Sequence, residues 1–284
     1  MAVLPRSSYV SVTARRLKNA RIVYANQQLI NPDRVIEEYA FAVPMEIEPA
    51  DAYGEEQKVF WADRYGGDGI GVNGGSGRSA QDDRFQLKGI GRTPLLGPDP
   101  SEDTFWHSHG GISLVDAIQE TVWGEVFTRV LPHGASRVAA IIATGTECWY
   151  EINGSKSRAP RALVLRQITV RPAHYMRALY FAKAAEYPHV SDAERVRAAV
   201  QSLTTAFKQL GMARQGSEAD LLGSGLMVMA DRLGMQTAYA QVRRLMHGAI
   251  SPSNVALDGR WVDFGTATHL PTFANTKSRG APRL

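Results

Sequence analysis

His247-Gly-Ala-Ile-Ser-Pro-Ser-Asn254, followed shortly by Asp263-Phe-Gly265, is the stretch that decides how this chain is read. An Asn and an Asp, each ending a loop and separated by a short hairpin, can grip one divalent cation through side-chain oxygens. Mg²⁺ suits such a pair, because it takes few protein ligands and completes its shell with nucleotide phosphates. Between the two, Val255-Ala-Leu257, the turn Asp258-Gly259 and Trp261-Val262 predict a β-hairpin with Asn254 at its start and Asp263 at its end.

Upstream, a metal-bound nucleotide needs cations for its phosphates. Gly66, Gly67, Gly69, Gly71, Gly74, Gly75 and Gly77 crowd one segment. Such a run is neither a stable helix nor an interior strand, so it predicts a loop whose backbone closely approaches something. Gly69-Ile-Gly71-Val-Asn-Gly74 fits G-x-G-x-x-G, a weak match in so glycine-rich a segment. Gly75-Ser-Gly77-Arg78 is more telling, since Arg78 would put a forked donor at the loop tip. A strand-like Arg84-Phe-Gln-Leu-Lys88 follows, and a strand-borne lysine beneath a glycine loop can neutralise phosphates. Ser113 then opens a helix with apolar Val115, Ile118, Val122, Val126 and Val130, ending at Pro132 and Gly134. Glu120, one turn from Asp116 and Trp123, can face the strand and pair with Lys88. Alone, Lys88 reads as a surface lysine and Glu120 as a solvated helix residue. The ordered set of glycine loop, Lys, helix Glu, Asn and Asp is the protein-kinase pattern.

The remainder predicts an α+β chain. Ile22-Val-Tyr24, Val138–Ala143 and Ala162–Ile168 read as strands, the last two joined across Asn153-Gly154, and residues 97–103 as a Pro-rich acidic loop. Ser191-Asp-Ala-Glu194 is a capping box. Val196, Val200, Leu203, Phe207 and Leu210 mark the helix after it, and a second helical stretch from 218 to 246 breaks near Gly234. The expected division is an N-terminal extension and β-rich nucleotide-binding lobe at 1–180, then a short helical lobe at 181–284 carrying the metal ligands.

Bulk properties narrow the classes. With 284 residues, 44% hydrophobic and 21% charged, the chain has an ordinary globular composition. No apolar run approaches the roughly 18 residues of a membrane span, and the opening residues are too polar for a secretory signal. One cysteine, Cys148, excludes an internal disulfide and fits a reducing, cytoplasmic setting. The net charge of +4 comes from scattered arginines without a dense run or interleaved aromatics, which does not point to nucleic acid. His107 and His109 could share one side of an extended segment, but no third zinc ligand stands nearby. Neither a G-x-x-x-x-G-K-[ST] loop nor a nucleophile elbow occurs.

Gln86-Leu-Lys-Gly-Ile-Gly-Arg-Thr-Pro94 resembles the Q/H-L-K-G-A-G-x-T-P-Y-S of the selenoprotein O family of protein adenylyltransferases. Gly75-Ser-Gly77-Arg78 is similar to that family's G-D-G-R, and His109-Gly-Gly111 stands where it has D-G-R. Ile118-Gln-Glu120 resembles its I-R-E, and Leu17-Lys-Asn-Ala-Arg21 its L-x-N-x-R. His247 to Asn254 with Asp263-Phe-Gly265 is similar to H-G-V-M-N-T-D-N…D-Y-G. The likeness runs from about residue 8 to 267 with the motifs in order.

The resemblance implies a protein-kinase-like two-lobed fold. It implies ATP bound in an orientation flipped relative to kinases, and AMP transferred to a Ser, Thr or Tyr hydroxyl of a protein or peptide. It places Gly75, Gly77, Arg78, Lys88, His109 and Gly110 on the nucleotide, pairs Glu120 with Lys88, and gives Mg²⁺ or Mn²⁺ to Asn254 and Asp263. Arg166 and Arg177 match its two phosphate-binding arginines, with Arg171 competing. Two departures stand out. Ser253 occupies the position of the family's catalytic Asp, and Ala249 that of the kinase base. A serine hydroxyl does not accept a proton at neutral pH, and general-base help is worth roughly 10²–10⁴ in rate. Three readings follow: AMP transfer, γ-phosphoryl transfer, and a nucleotide-binding pseudoenzyme that serves as a scaffold or subunit.

Overall fold

The computed structural model describes residues 4–67, 73–97, 109–152, 155–181, 183 and 187–272. Gly69, Gly71, His107, residues 98–103 and the Asn153-Gly154 turn lie outside the described residues. The chain is mixed α+β. Its eight-stranded antiparallel sheet comprises β1 (Tyr9–Leu17), β2 (Arg21–Ala25), β3 (Phe41–Ala42), β4 (Tyr53–Asp63), β5 (Ser79–Gln81), β6 (Phe85–Lys88), β7 (Val138–Ile152) and β8 (Ser155–Gln167). Their order across the sheet is β2-β7-β8-β6-β5-β4-β1-β3.

Register explains the chemistry of the two faces. Gln81 lies opposite Gln86 and Trp61, Gln86 opposite Arg166, and Ser79 opposite Lys88. Because side chains alternate along a strand, Asp63, Gln81, Gln86, Lys88 and Arg166 share one polar face. The intervening Phe60, Ala62, Ala80, Phe85, Leu87 and Leu165 point the other way into the main core, with Tyr39 and Phe41. Each such large apolar side chain stabilises by about 1.5–3 kcal/mol when fully buried.

Five α-helices occur among the described residues: α1 (Pro32–Tyr39), α2 (Leu114–Val130), α3 (Asp192–Gln201), α4 (Leu203–Gln209) and α5 (Glu218–Val242). Helix α2 packs on β7 and β8. Its N-cap Ser113 accepts from the Asp116 amide. Its apolar stripe does not face the core: Val115, Ile118 and Val122 are exposed, while Ala117, Glu120, Thr121, Gly124 and Phe127 point inward. Beneath it lie apolar Val138, Ile141, Ala162 and Val164, which pack with Ala117, and the buried cations Lys88 and Arg166, which meet Glu120, so the helix turns small residues and its carboxylate toward the sheet. Period alone could not have chosen the face.

Three boundaries differ from expectation. The helix from 192 breaks at Ser202, where a new cap begins α4. Gly234 does not interrupt α5, since a helical glycine costs only about 1 kcal/mol relative to Ala. The hairpin from 255 to 262 is a tight turn closed by the single bridge Val255–Trp261. Beyond it, β9 (Leu245–Met246) pairs with β10 (Thr268–His269). No helix among the described residues is long and apolar enough to cross a membrane.

Candidate functional site

Lys88 closes β6 on the polar face and is almost wholly buried. Its Nζ donates to Glu120 Oε2 at 2.6 Å and to Asp263 Oδ1 at 2.9 Å. The second oxygen of Glu120 accepts from Arg166 Nη1 at 2.7 Å. Arg166 Nε and Arg171 Nη2 both donate to Gln86 Oε1, at 2.8 and 3.3 Å, and Arg171 Nη1 donates to the Ser253 carbonyl at 2.9 Å. Residues far apart in sequence are thus joined in one chain of charge-assisted bonds. Buried charges tolerate this only when each is paired.

The lower half of the site is set by the tight turn. The Val262 amide donates to the Asn254 carbonyl at 2.9 Å, which puts Asn254 beside Asp263. Asp263 has φ 69, a left-handed value uncommon outside glycine. Phe264 anchors it by packing edge-on against Phe127 and His247. Gln119 of α2 donates to the Gly265 carbonyl at 3.1 Å, so the helix that carries Glu120 also holds this loop. Asn254 Nδ2 donates to the Ala249 carbonyl at 2.9 Å, so the amide oxygen is the atom of this side chain that could ligate a cation.

Burial tends to push the Asp263 carboxyl up, but Lys88, Arg166 and Arg78 outweigh it and hold the group below the usual carboxylate range. It is therefore ionised at neutral pH and, as an oxygen donor, chemically fit for a hard cation. Among the described residues no group of three or more His, Cys, Asp or Glu converges on a point. A cation here would have two protein side chains and would need phosphate oxygens or water to complete its shell.

Arg78 Nη1 donates to the Gly111 carbonyl at 3.2 Å. The His109–Gly111 turn is fastened to the Gly89–Arg92 loop, because Gly91 donates to the Gly110 carbonyl at 3.1 Å. Gly110 has φ +90, and a Cβ there would stand 2.5 Å from the Arg92 nitrogen. His109 Nδ1 accepts from the Gly111 amide at 3.2 Å.

The glycine-dense loop approaches something closely, but much of that closeness is spent on the chain itself. A Cβ on Gly66 would lie 2.0 Å from the Arg177 carbonyl, one on Gly74 2.6 Å from the Tyr180 carbonyl, and one on Gly77 2.8 Å from Leu96. Arg177 meets this loop through its backbone and its side chain is exposed. Arg171, the competing match, is the arginine that shares Gln86 with Arg166, whereas the Arg177 side chain stands outside that network.

Ser253 is buried, and among the described residues its hydroxyl meets that of Ser251 at 2.9 Å. Among the described residues no carboxylate hydrogen-bonds to it. Sequence reasoning also missed Gln86 and Asp63. Gln86 was findable, since it precedes Lys88 by two and must share its face. Asp63 carried no local signal.

His174 and His247 are buried, and desolvation lowers both pKa values despite Asp63 beside one and the Val262 carbonyl beside the other. The unfolded chain then binds protons that the folded chain refuses, so stability rises with pH across this range. It should be fully present above about pH 7 and fall as pH drops below about 6.5. Depressed Asp63 and Asp263 should add a second loss below about pH 4, as pH falls toward their folded values. Urea unfolding between pH 8 and 5 checks this. A flat profile there would mean that the two imidazoles are not held neutral.

A cavity of about 880 Å³ opens toward the Phe85 end of β6, with Trp61, Asp63, Gln167 and His174 in its walls. It is of ligand size, but Lys88, Glu120 and Asp263 do not line it, and it meets the cation cluster only through Asp63 and His174. No protein-family model matches the chain, and no curated protein matches it either.

Proposed function

We propose that the chain is an ATP- and Mg²⁺- or Mn²⁺-dependent nucleotidyltransferase of protein-kinase-like fold, moving AMP onto a hydroxyl of a protein or peptide. The observation that carries the nucleotide part is Lys88 held between Glu120 at 2.6 Å and Asp263 at 2.9 Å. The four cations Lys88, Arg78, Arg166 and Arg171 outnumber the three carboxylates among them, Glu120, Asp263 and Asp63. A site with surplus positive charge and an ionised Asp suits a metal-bound polyphosphate. Asn254 and Asp263 would hold the cation, which would neutralise phosphate charge when bound. Lys88, Arg78 and Arg171 would bind and orient the phosphates. Such transfers depend mainly on positioning and charge neutralisation, so Ser253 need not abolish them.

The AMP part rests on the family resemblance, in which the α-phosphate faces the acceptor. A second reading, a nucleotide-binding pseudoenzyme acting as a scaffold or subunit, is favoured by Ser253, whose buried hydroxyl meets another serine and no base. One experiment separates them. The protein is incubated with Mg²⁺ or Mn²⁺ and ATP labelled at the α- or the γ-phosphate, and self-modification is read out. Label from the α position alone supports adenylylation, and label from γ alone makes the protein a kinase. Saturable ATP binding without transfer supports the pseudoenzyme. Absence of binding ends the nucleotide reading altogether.

A further inference from the structure

One buried carboxylate gathers the three segments that bear Arg78, Lys88 and Arg171. Asp63, at the end of β4, accepts from Ser76 Oγ at 2.6 Å and Gln86 Nε2 at 3.2 Å through Oδ1, and from His174 Nε2 at 2.8 Å through Oδ2. Ser76 precedes Arg78 by two residues, Gln86 precedes Lys88 by two, and His174 follows Arg171 by three. His174 Nδ1 accepts from the Arg171 amide at 2.9 Å. That bond fixes the tautomer, so Nε2 carries the proton given to Asp63.

The glycine turn is pressed onto the same point. The Ser76 amide donates to the Asp63 carbonyl at 3.0 Å. Gly75, at φ +143, would carry a Cβ 2.3 Å from that carbonyl. Thr93 closes the turn from the other side, its Oγ1 donating to the Ser76 carbonyl at 2.6 Å and its amide to the Gly77 carbonyl at 3.0 Å. The Gly89 amide donates to the Arg78 carbonyl at 2.9 Å, tying the turn to the residue after Lys88. A carboxylate needed only for packing could be satisfied by any donors. Here each donor side chain comes from a different cation-bearing segment.

Resting on the nucleotide reading above, we propose that Asp63 is a positioning residue that fixes the spacing of Arg78, Lys88 and Arg171 around the polyphosphate. Burial raises its carboxyl pKa, but His174, Arg171 and Ser76 more than offset this, so all three donors meet an ionised group.

The test removes one spoke. Ser76→Ala deletes the hydroxyl donor and leaves Asp63 two partners. Affinities for ATP, ADP and adenosine are measured by calorimetry with Mg²⁺ present. ATP and ADP should bind about tenfold more weakly, the scale of one hydrogen bond to a charged group, while adenosine affinity stays unchanged. Ser76→Cys, which keeps the volume with only a weak donor, should give the same split and fills the buried space. Ser136→Ala removes a comparably buried hydroxyl bond, to the Gln167 carbonyl at 2.9 Å, and should bind all three ligands like wild type. Equal loss for ATP and adenosine would mean a general structural defect and overturn the proposal. So would unchanged ATP affinity in both Ser76 variants while Lys88→Ala loses it, and the nucleotide reading would then stand. If wild type binds no ATP, both fall.

Discussion

Replacement of Asp263 by Asn is expected to cut transfer of an ATP-derived group by about a hundred- to a thousandfold, the scale on which deleting a single charge-stabilising group acts in an active site. Asn is the cleaner substitution, because it keeps the shape and tolerates the left-handed backbone at φ 69. What it loses is the negative charge that faces Lys88 at 2.9 Å and would face the cation. Lys88 keeps Glu120 at 2.6 Å, so the buried ammonium remains paired and the fold should hold. Asp263→Ala should match it in activity while also losing some stability through the strained backbone. The measurement is label transfer under saturating Mg²⁺, set beside the unfolding midpoint. Transfer at the wild-type rate in the Asn variant would remove Asp263 from the metal role, whatever the fate of Lys88.

The largest expected stability effect lies behind the site. Arg161 is fully buried and donates to both oxygens of Glu48, at 2.7 and 2.8 Å, and to the Gly89 carbonyl at 2.9 Å. Thr146, Tyr53 and the Met45 amide fill the remaining capacity of Glu48. Arg161→Met leaves that carboxylate buried without its cation, which costs about 3–5 kcal/mol. The double variant Arg161→Met with Glu48→Gln should recover part of the loss, because no bare charge remains. Urea unfolding of the two variants and wild type checks this. A loss below about 1 kcal/mol in the single variant would mean that water reaches the pair. Since Arg161 supports Gly89, the residue after Lys88, the single variant should also weaken ATP binding.

The site was more legible than the fold around it, for a physical reason. Lys88, Glu120 and Asp263 belong to motifs whose spacing reflects one geometry, so their order already implied a meeting point. The strands β1 and β4 carried no such motif. In β4, Glu55, Glu56, Gln57 and Lys58 are four polar residues in a row with no alternation, yet the strand runs through them, Gln57 and Lys58 pairing with β1, while Phe60 and Ala62 beyond them are buried. The apolar period of α2 left its buried face undecided for a related reason, and only the pairing expected of Glu120 indicated it. Period identifies a helix, whereas its orientation depends on what lies beneath, and Arg166 below attracts Glu120. Asp63 escaped because its partners are 13 to 111 residues away, a relation no local pattern carries.

The bond from Gln119 to the Gly265 carbonyl has a dynamic consequence. It clamps the carboxylate and the aspartate that flank Lys88 to the same rod, Glu120 being the next residue along α2. While that bond is made, an exposed one worth about 1 kcal/mol, tilting the rod shifts both, so the lysine's two counter-ions are biased to move together.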